Sequence, residues 1–197
     1  KFRDGNTKDY IKKEYTYDKF DRVVKIEFFD STQPGVVRES YTYTYDKNFR
    51  IVSETIYNNY AGLNLNTINE THYYKYDSVG RIIEVTIKNK ENQVTSTTHY
   101  AYDKVGNRLS EVENGIKTIY KYNSLNQLIE TRQISGEKES VQCNYAYDLN
   151  GNMIKKMDVL HNQETVFTYT VDNYLEKEIQ KQGTNILYTQ ENLYNGN

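Results

Sequence analysis

Tyr74-Lys75-Tyr76-Asp77-Ser78-Val79-Gly80-Arg81-Ile82-Ile83 reads as the end of one β-strand, a tight turn and the start of the next. Tyr74 and Tyr76 lie two apart, so both project from one face of a strand. Asp77 to Gly80 places aspartate first and glycine fourth, the preference of a type I turn, and the glycine accepts the left-handed conformation that follows. Residues 81–87 run back as a second strand in which Ile83, Val85 and Ile87 share a face. Residues 88–92 turn the chain again and residues 93–102 climb into the next phrase of the same kind. The unit is therefore a β-hairpin.

The phrase occurs seven times: Tyr15 to Asp18, Tyr43 to Asp46, Tyr74 to Asp77, Tyr100 to Asp103, Tyr120 to Asn123, Tyr145 to Asp148 and Tyr169 to Asp172. A recurrence this regular outranks local propensities, because each unit is built by the same physics and stacks on its neighbour. It predicts one repeat array over residues 1–197, with turns opening near Asp18, Asp46, Asp77, Asp103, Asn123, Asp148 and Asp172 and a partial copy from Tyr188 to Asn195. Asp21 and Asn126 replace the turn glycine with residues that tolerate the left-handed region. Phe49 and Leu175 take that position in the second and seventh copies, where a bulky side chain predicts an altered turn or shifted register. The far turns vary: Asn114-Gly115 has the form of a two-residue hairpin loop, while the connection from Tyr57 to Asn69 is long.

Six residues past each opener stand Val24, Val52, Ile83, Leu109, Ile129 and Ile154. This row is expected to form an apolar ladder beneath the tyrosines. Phe20, Val79, Val105, Leu125 and Tyr174, two past the opener, suggest turn tips covered by a neighbouring hairpin. A tyrosine burying about 100 Å² in such a ladder contributes roughly 2.5 kcal/mol at most. Further out, Glu111 and Glu113 or Lys156 and Asp158 stand where Val85 and Ile87 stand in another copy. Those charges exclude a second layer, so the expected fold class is all-β, tandem hairpins forming a single curved or spiralling antiparallel sheet.

Composition agrees with a thin sheet. Only 37% of the 197 residues are hydrophobic, yet 21 are tyrosine, which buries an apolar body while keeping a hydroxyl wet. A formal charge of -2, with lysines interleaved among acids, gives no basic footprint for nucleic acid. Cys143 is the only cysteine, which excludes an internal disulfide and a thiolate metal cluster. No stretch has the apolar length of a membrane-spanning helix, and no signal peptide precedes Lys1. The ends lack caps, as a piece of a longer chain would.

The pattern Tyr-x-Tyr-Asp-x-x-Gly-Arg/Asn-x-Ile/Leu, carried by residues 74–83 and 145–154, resembles the YD repeat of the Rhs family. That family includes bacterial Rhs and wall-associated polymorphic toxins, insecticidal toxin-complex subunits and the animal teneurins. The resemblance implies a segment of β-shell wall that is extracellular or at the cell surface. Its implied partners are the remainder of its own longer chain or an encapsulated toxin domain. The chain has too few repeats to close a large shell. It shows no counterpart of the family's C-terminal core with its self-cleaving aspartates, so neither self-proteolysis nor toxicity is transferred to any residue.

No reaction is legible in the residues themselves. Asp148-Leu149-Asn150-Gly151-Asn152 alternates oxygen ligands as a calcium loop does, but lacks the later glutamate and flanking helices. His72, His99 and His161 occupy unrelated places in their repeats. Glu111 and Glu113 could form an acid/base pair but lie among similar charges on a repetitive strand. The expectation is therefore a non-enzymatic protein with no catalytic residue, metal or cofactor. The alternative is a carbohydrate- or cell-surface-binding adhesion module using exposed tyrosines such as Tyr57 or Tyr60, which could also engage other surface proteins.

Overall fold

The computed structural model describes residues 11–30, 33, 35–59 and 68–194. All its regular structure is β. Among the described residues fifteen strands follow chain order, each pairing antiparallel with sequence neighbours, in two compact units, 1–99 and 100–197. The first unit holds β1 (Ile11–Tyr17), β2 (Val23–Asp30), β3 (Val37–Tyr45), β4 (Ile51–Asn58), β5 (Asn69–Tyr76), β6 (Ile82–Asn89) and most of β7 (Val94–Tyr102). The second holds β8 (Arg108–Glu113), β9 (Ile116–Tyr122), β10 (Leu128–Ser135), β11 (Lys138–Tyr147), β12 (Met153–Asp158), β13 (Gln163–Tyr169), β14 (Leu175–Gln182) and β15 (Asn185–Glu191).

The register corrects the expected apolar ladder. Tyr17 pairs with Val23, Tyr45 with Ile51, Tyr76 with Ile82, Tyr122 with Leu128, Tyr147 with Met153 and Tyr169 with Leu175. Residues five past the opener therefore lie opposite the second tyrosine. Val24, Val52, Ile83, Ile129 and Ile154 are the extra residues of a β-bulge and have no partner across the hairpin. An extra residue shifts the alternation by one, so Ile82, not Ile83, joins Val85 and Ile87 on the tyrosine face. The displaced residues are partly solvated; Ile83, for example, is 36% exposed.

The two turns expected to be altered behave differently. Phe49 keeps the ordinary turn, donating its N–H to the Asp46 carbonyl at 3.1 Å with a φ of 65°. Its ring packs edge-on against Phe20 with centroids 5.6 Å apart, and Arg22 lies 4.9 Å from its centroid. These contacts offset a left-handed backbone worth roughly 1–2 kcal/mol of strain. In the seventh copy the register does shift. The Thr170 N–H donates to the Tyr174 carbonyl at 2.9 Å and Asn173, with φ 63°, takes the glycine place. Thr170, not Asp172, opens that turn, and the phrase is Phe167-Thr168-Tyr169-Thr170.

The turn tips divide: Phe20 packs on Phe49 and Tyr174 on Tyr194 of the next hairpin, as expected, whereas Val79, Val105 and Leu125 are left 73%, 71% and 74% exposed. Among the described residues no hydrophobic side chain is buried; only Thr98 and Thr131, each 8% exposed, come close to full burial. Face chemistry follows from the register. Opposite the tyrosines, cross-strand ion pairs join Lys75 to Glu84 at 2.8 Å and Lys121 to Glu130 at 2.8 Å, and Thr55 meets Thr71 at 3.0 Å. The far turn at residues 89–93 copies the opener's chemistry: the Asn89 side-chain oxygen accepts from the Glu91 and Gln93 N–H groups at 3.1 and 2.9 Å.

Candidate functional site

The feature repeated most faithfully is the edge where the Asp-opened turns lie. At Asp77 the backbone N–H donates to the Arg81 carbonyl at 2.9 Å and Gly80 N–H returns to the Asp77 carbonyl at 3.2 Å. The Asp77 Oδ1 accepts from the Val79 and Arg81 N–H groups at 3.0 and 2.9 Å, while Oδ2 accepts from Arg81 Nε at 2.7 Å. Gly80 holds a φ of 93°, the left-handed position that closes this ring of bonds. The Arg81 backbone N–H, then its guanidinium and the Val79 N–H, hold the Asp77 carboxyl below its usual range against the upward push of desolvation. Asp18 and Asp46 are lowered in the same way by Arg22 and Arg50.

Five of the turns are then locked by the next hairpin. The second tyrosine of a phrase donates its hydroxyl to the carbonyl five residues past the preceding opener: Tyr45 to Val23 at 2.6 Å, Tyr76 to Ile51 at 2.5 Å, Tyr147 to Leu128, Tyr169 to Met153 and Tyr194 to Leu175, each of the last three at 2.9 Å. Arg22 sits 4.5 Å from the Tyr45 ring centroid and Arg50 4.6 Å from that of Tyr76, so each guanidinium is held between its own aspartate and the next tyrosine. Arg50 also donates to the Asp77 carbonyl at 3.4 Å. Desolvation raises the phenol pKa of Tyr76, Tyr147 and Tyr169, which keeps the hydroxyl a donor. Tyr194 shows that the terminal partial copy is centred on Asn192-Leu193-Tyr194 rather than on Tyr188; Asn195 lies outside the described residues.

The first tyrosines make a second, looser set of contacts. Tyr74 donates to Glu54 at 3.1 Å and Tyr120 to Glu111 at 3.2 Å, and Arg108 pairs with Glu111 at 2.9 Å. Desolvation and then Glu54 raise the Tyr74 phenol well above its ordinary range. Beside Glu111 lies an open recess of about 310 Å³ lined by Glu111, Glu113, Asn114, Ile116, Thr118 and Gln133. Glu111 is already engaged by Arg108 and Tyr120, which leaves it poorly placed as a general base.

The remaining candidates are dispersed. Both oxygens of Asp148 accept hydrogen bonds, Oδ1 from the Asn150 and Asn152 N–H groups at 3.0 and 2.8 Å and Oδ2 from Asn152 Nδ2 at 3.0 Å. That carboxylate serves the turn, not a cation. His72 bonds Glu70 at 2.7 Å and His161 bonds Asp158 at 2.9 Å, while His99 lies 3.7 Å from Glu84. Among the described residues no three His, Cys, Asp or Glu side chains are grouped to hold a metal. Among the described residues no helix is long and apolar enough to cross a membrane. Cys143 is half-buried. Tyr57 is half-buried in β4, pairing with Ser40 and Asn69, and Tyr60 lies outside the described residues.

A single-layer array of β-hairpins locked along one edge by tyrosine hydroxyls is the class that fold and site define. No protein-family model matches the chain. It is 28% identical over 158 residues to the tRNA3(Ser)-specific nuclease WapA of Bacillus spizizenii, a match covering 78% of this chain and 6% of that protein. In structure it is similar to TcdB2-TccC3-TEV, with a TM-score of 0.59 and 18% identity over 83% of this chain and 9% of the other. TcdB2-TccC3 without its hypervariable C-terminal region gives a TM-score of 0.59 and 15% identity, over 89% and 11% of the two chains. The fold is that of the Rhs/YD-repeat shell. The chain spans only 6% to 11% of the lengths of these proteins.

Proposed function

We propose that residues 1–197 are one structural array within a longer Rhs/YD-repeat protein, a length of shell wall that encapsulates or scaffolds a further region of the same polypeptide. The role is non-enzymatic and its setting extracellular or at the cell surface. One observation supports this above the others: the polar groups that might suggest chemistry are occupied structurally, the turn aspartates by hydrogen bonds within their own turns and the tyrosine hydroxyls by bonds that hold one hairpin to the next. The likeness to the TcdB2-TccC3 structures and to a large nuclease of which this chain matches a small portion supports the same reading.

The test is limited proteolysis of the full-length parent chain. The segment enclosed by the repeats is expected to resist protease until the wall is loosened, for example by Tyr76→Ala. Cleavage at the same rate with intact and loosened repeats would refute encapsulation.

A further inference from the structure

Along the turn edge the side chain four past an opener meets the second tyrosine of the next phrase, and its chemistry changes from border to border. Arg22 lies 4.5 Å from the Tyr45 ring centroid and Arg50 4.6 Å from that of Tyr76. At the turn opened by Thr170 the same position is Tyr174, and the ring it meets is that of Tyr194, with centroids 5.0 Å apart and planes inclined by 33°. A guanidinium does not react with the ring it covers. A second phenol can.

The two rings are both accessible and held. Tyr174 is 55% and Tyr194 51% exposed. The Tyr194 hydroxyl donates to the Leu175 carbonyl at 2.9 Å, which fixes its ring against the start of β14. Tyr174 is anchored through its backbone, whose N–H donates to Thr170 Oγ1 at 3.2 Å. Two phenols held this close and open to solvent are a preorganised pair for radical coupling, because fixed proximity replaces a bimolecular encounter. Tyr15 and Tyr17 give an internal comparison: they are 46% and 55% exposed, but their centroids are 6.3 Å apart and they stand side by side on one strand. Exposure alone would make the two pairs equally reactive, whereas proximity favours Tyr174 and Tyr194.

We infer that Tyr174 and Tyr194 form an oxidative cross-linking site, at which one hydrogen peroxide, consumed by a haem peroxidase, joins the two rings as dityrosine. Each phenol O–H gives up one electron and one proton, and the resulting phenoxyl radicals pair through carbons ortho to oxygen. As the new C–C bond forms, each ortho C–H proton moves to the phenolic oxygen of its own ring and restores aromaticity. The two electrons and two protons released cleave the peroxide O–O bond and leave as two waters. The product closes β14 and β15 into a covalent loop, so a border held elsewhere by non-covalent contacts becomes permanent.

The test treats the chain, dilute and folded, with a haem peroxidase and limiting hydrogen peroxide. Dityrosine fluorescence measures yield and peptide mass spectrometry locates the link. The expected first product joins residues 174 and 194 within one molecule and is two hydrogens lighter than its two peptides together. Tyr174→Phe keeps the ring and its packing, yet removes that product and most of the fluorescence. Tyr188→Phe, at a 44% exposed tyrosine bonded to Gln190, leaves both unchanged. In urea the preference for this pair disappears. The inference is overturned by an absence of dityrosine, by a first link at Tyr15 and Tyr17 or between molecules, by undiminished fluorescence in Tyr174→Phe, or by the same preference in the unfolded chain. None of these results depends on what the repeats enclose, so this inference and the encapsulation reading can fail separately.

Discussion

The two units build the same lock from different side chains. In the first, the residue four past each opener is Arg22, Arg50 or Arg81, and the guanidinium of Arg22 and Arg50 joins its own aspartate to the next hairpin through a ring face. In the second the position is held by Asn107, Gln127, Asn152 and Tyr174, and at Asn107 and Asn152 the bridge is an amide. Asn107 Nδ2 donates to Asp103 Oδ2 at 2.8 Å and to Asn126 Oδ1 at 3.0 Å; Asn152 Nδ2 donates to Asp148 at 3.0 Å and to Asn173 Oδ1 at 2.8 Å. One side-chain amide thus serves both its own turn and the next. The amide form needs an asparagine in the left-handed position of the following turn, and Asn126 and Asn173, with φ of 61° and 63°, supply it. Charge plus aromatic face, or amide plus amide, are interchangeable solutions to one geometric problem.

The largest separation between the units is expected on deleting the ring. Tyr76→Ala removes a hydrogen bond and the platform for Arg50, and a loss of about 3 kcal/mol is expected, against about 2 for Tyr147→Ala, whose ring carries no guanidinium. Denaturant unfolding read by hydrogen exchange within each unit checks it, and equal losses would dissolve the distinction. Next, Arg50→Ala should cost about 2 kcal/mol and become less costly in high salt, whereas Asn152→Ala should cost about 1 kcal/mol with no salt dependence. A salt response at Asn152 would show that the amide reading is wrong.

A smaller effect sharpens what is common to both. Tyr76→Phe and Tyr147→Phe each lose one hydroxyl-to-carbonyl bond and should cost about 1 kcal/mol alike, measured by the same exchange experiment. The smallest is acid response at single turns. The Asp46 carboxyl is held low by the Arg50 backbone N–H and guanidinium. A lowered folded pKa means that this turn is at full strength above the unfolded aspartate value of about 3.9 and weakens as pH falls through the folded one. Protection of the Asn48 and Arg50 amides should therefore decline in acid, whereas that of Leu125 and Gln127, bonded to the neutral Asn123, should not. Asn123→Asp should confer the acid response.

Repetition made most of the fold readable, since the Tyr-x-Tyr-Asp phrase carries its strand, its turn and its periodicity together. The bulge was hidden because both Ile82 and Ile83, or Leu128 and Ile129, are apolar, and simple alternation selects either member. Only pairing across the hairpin decides which one lies opposite the tyrosine. The seventh turn was misplaced because Asp172 looks like an opener while the true one, Thr170, offers a hydroxyl in place of a carboxylate. The tyrosine lock was legible in outline as contact between hairpins. Its acceptor, a backbone carbonyl, has no signature in sequence, and neither does the asparagine bridge, which joins residues 19 or 21 positions apart.

With no fully buried apolar side chain among the described residues, each unit has no centre that a distant defect can reach. Its cohesion is divided among the borders between neighbouring hairpins, as in a chain of nearest-neighbour links. A lesion at one border opens that border and leaves the next nearly as strong as before. Pulled from an end, each unit would come undone hairpin by hairpin, in the manner of stitching rather than of a shattering solid.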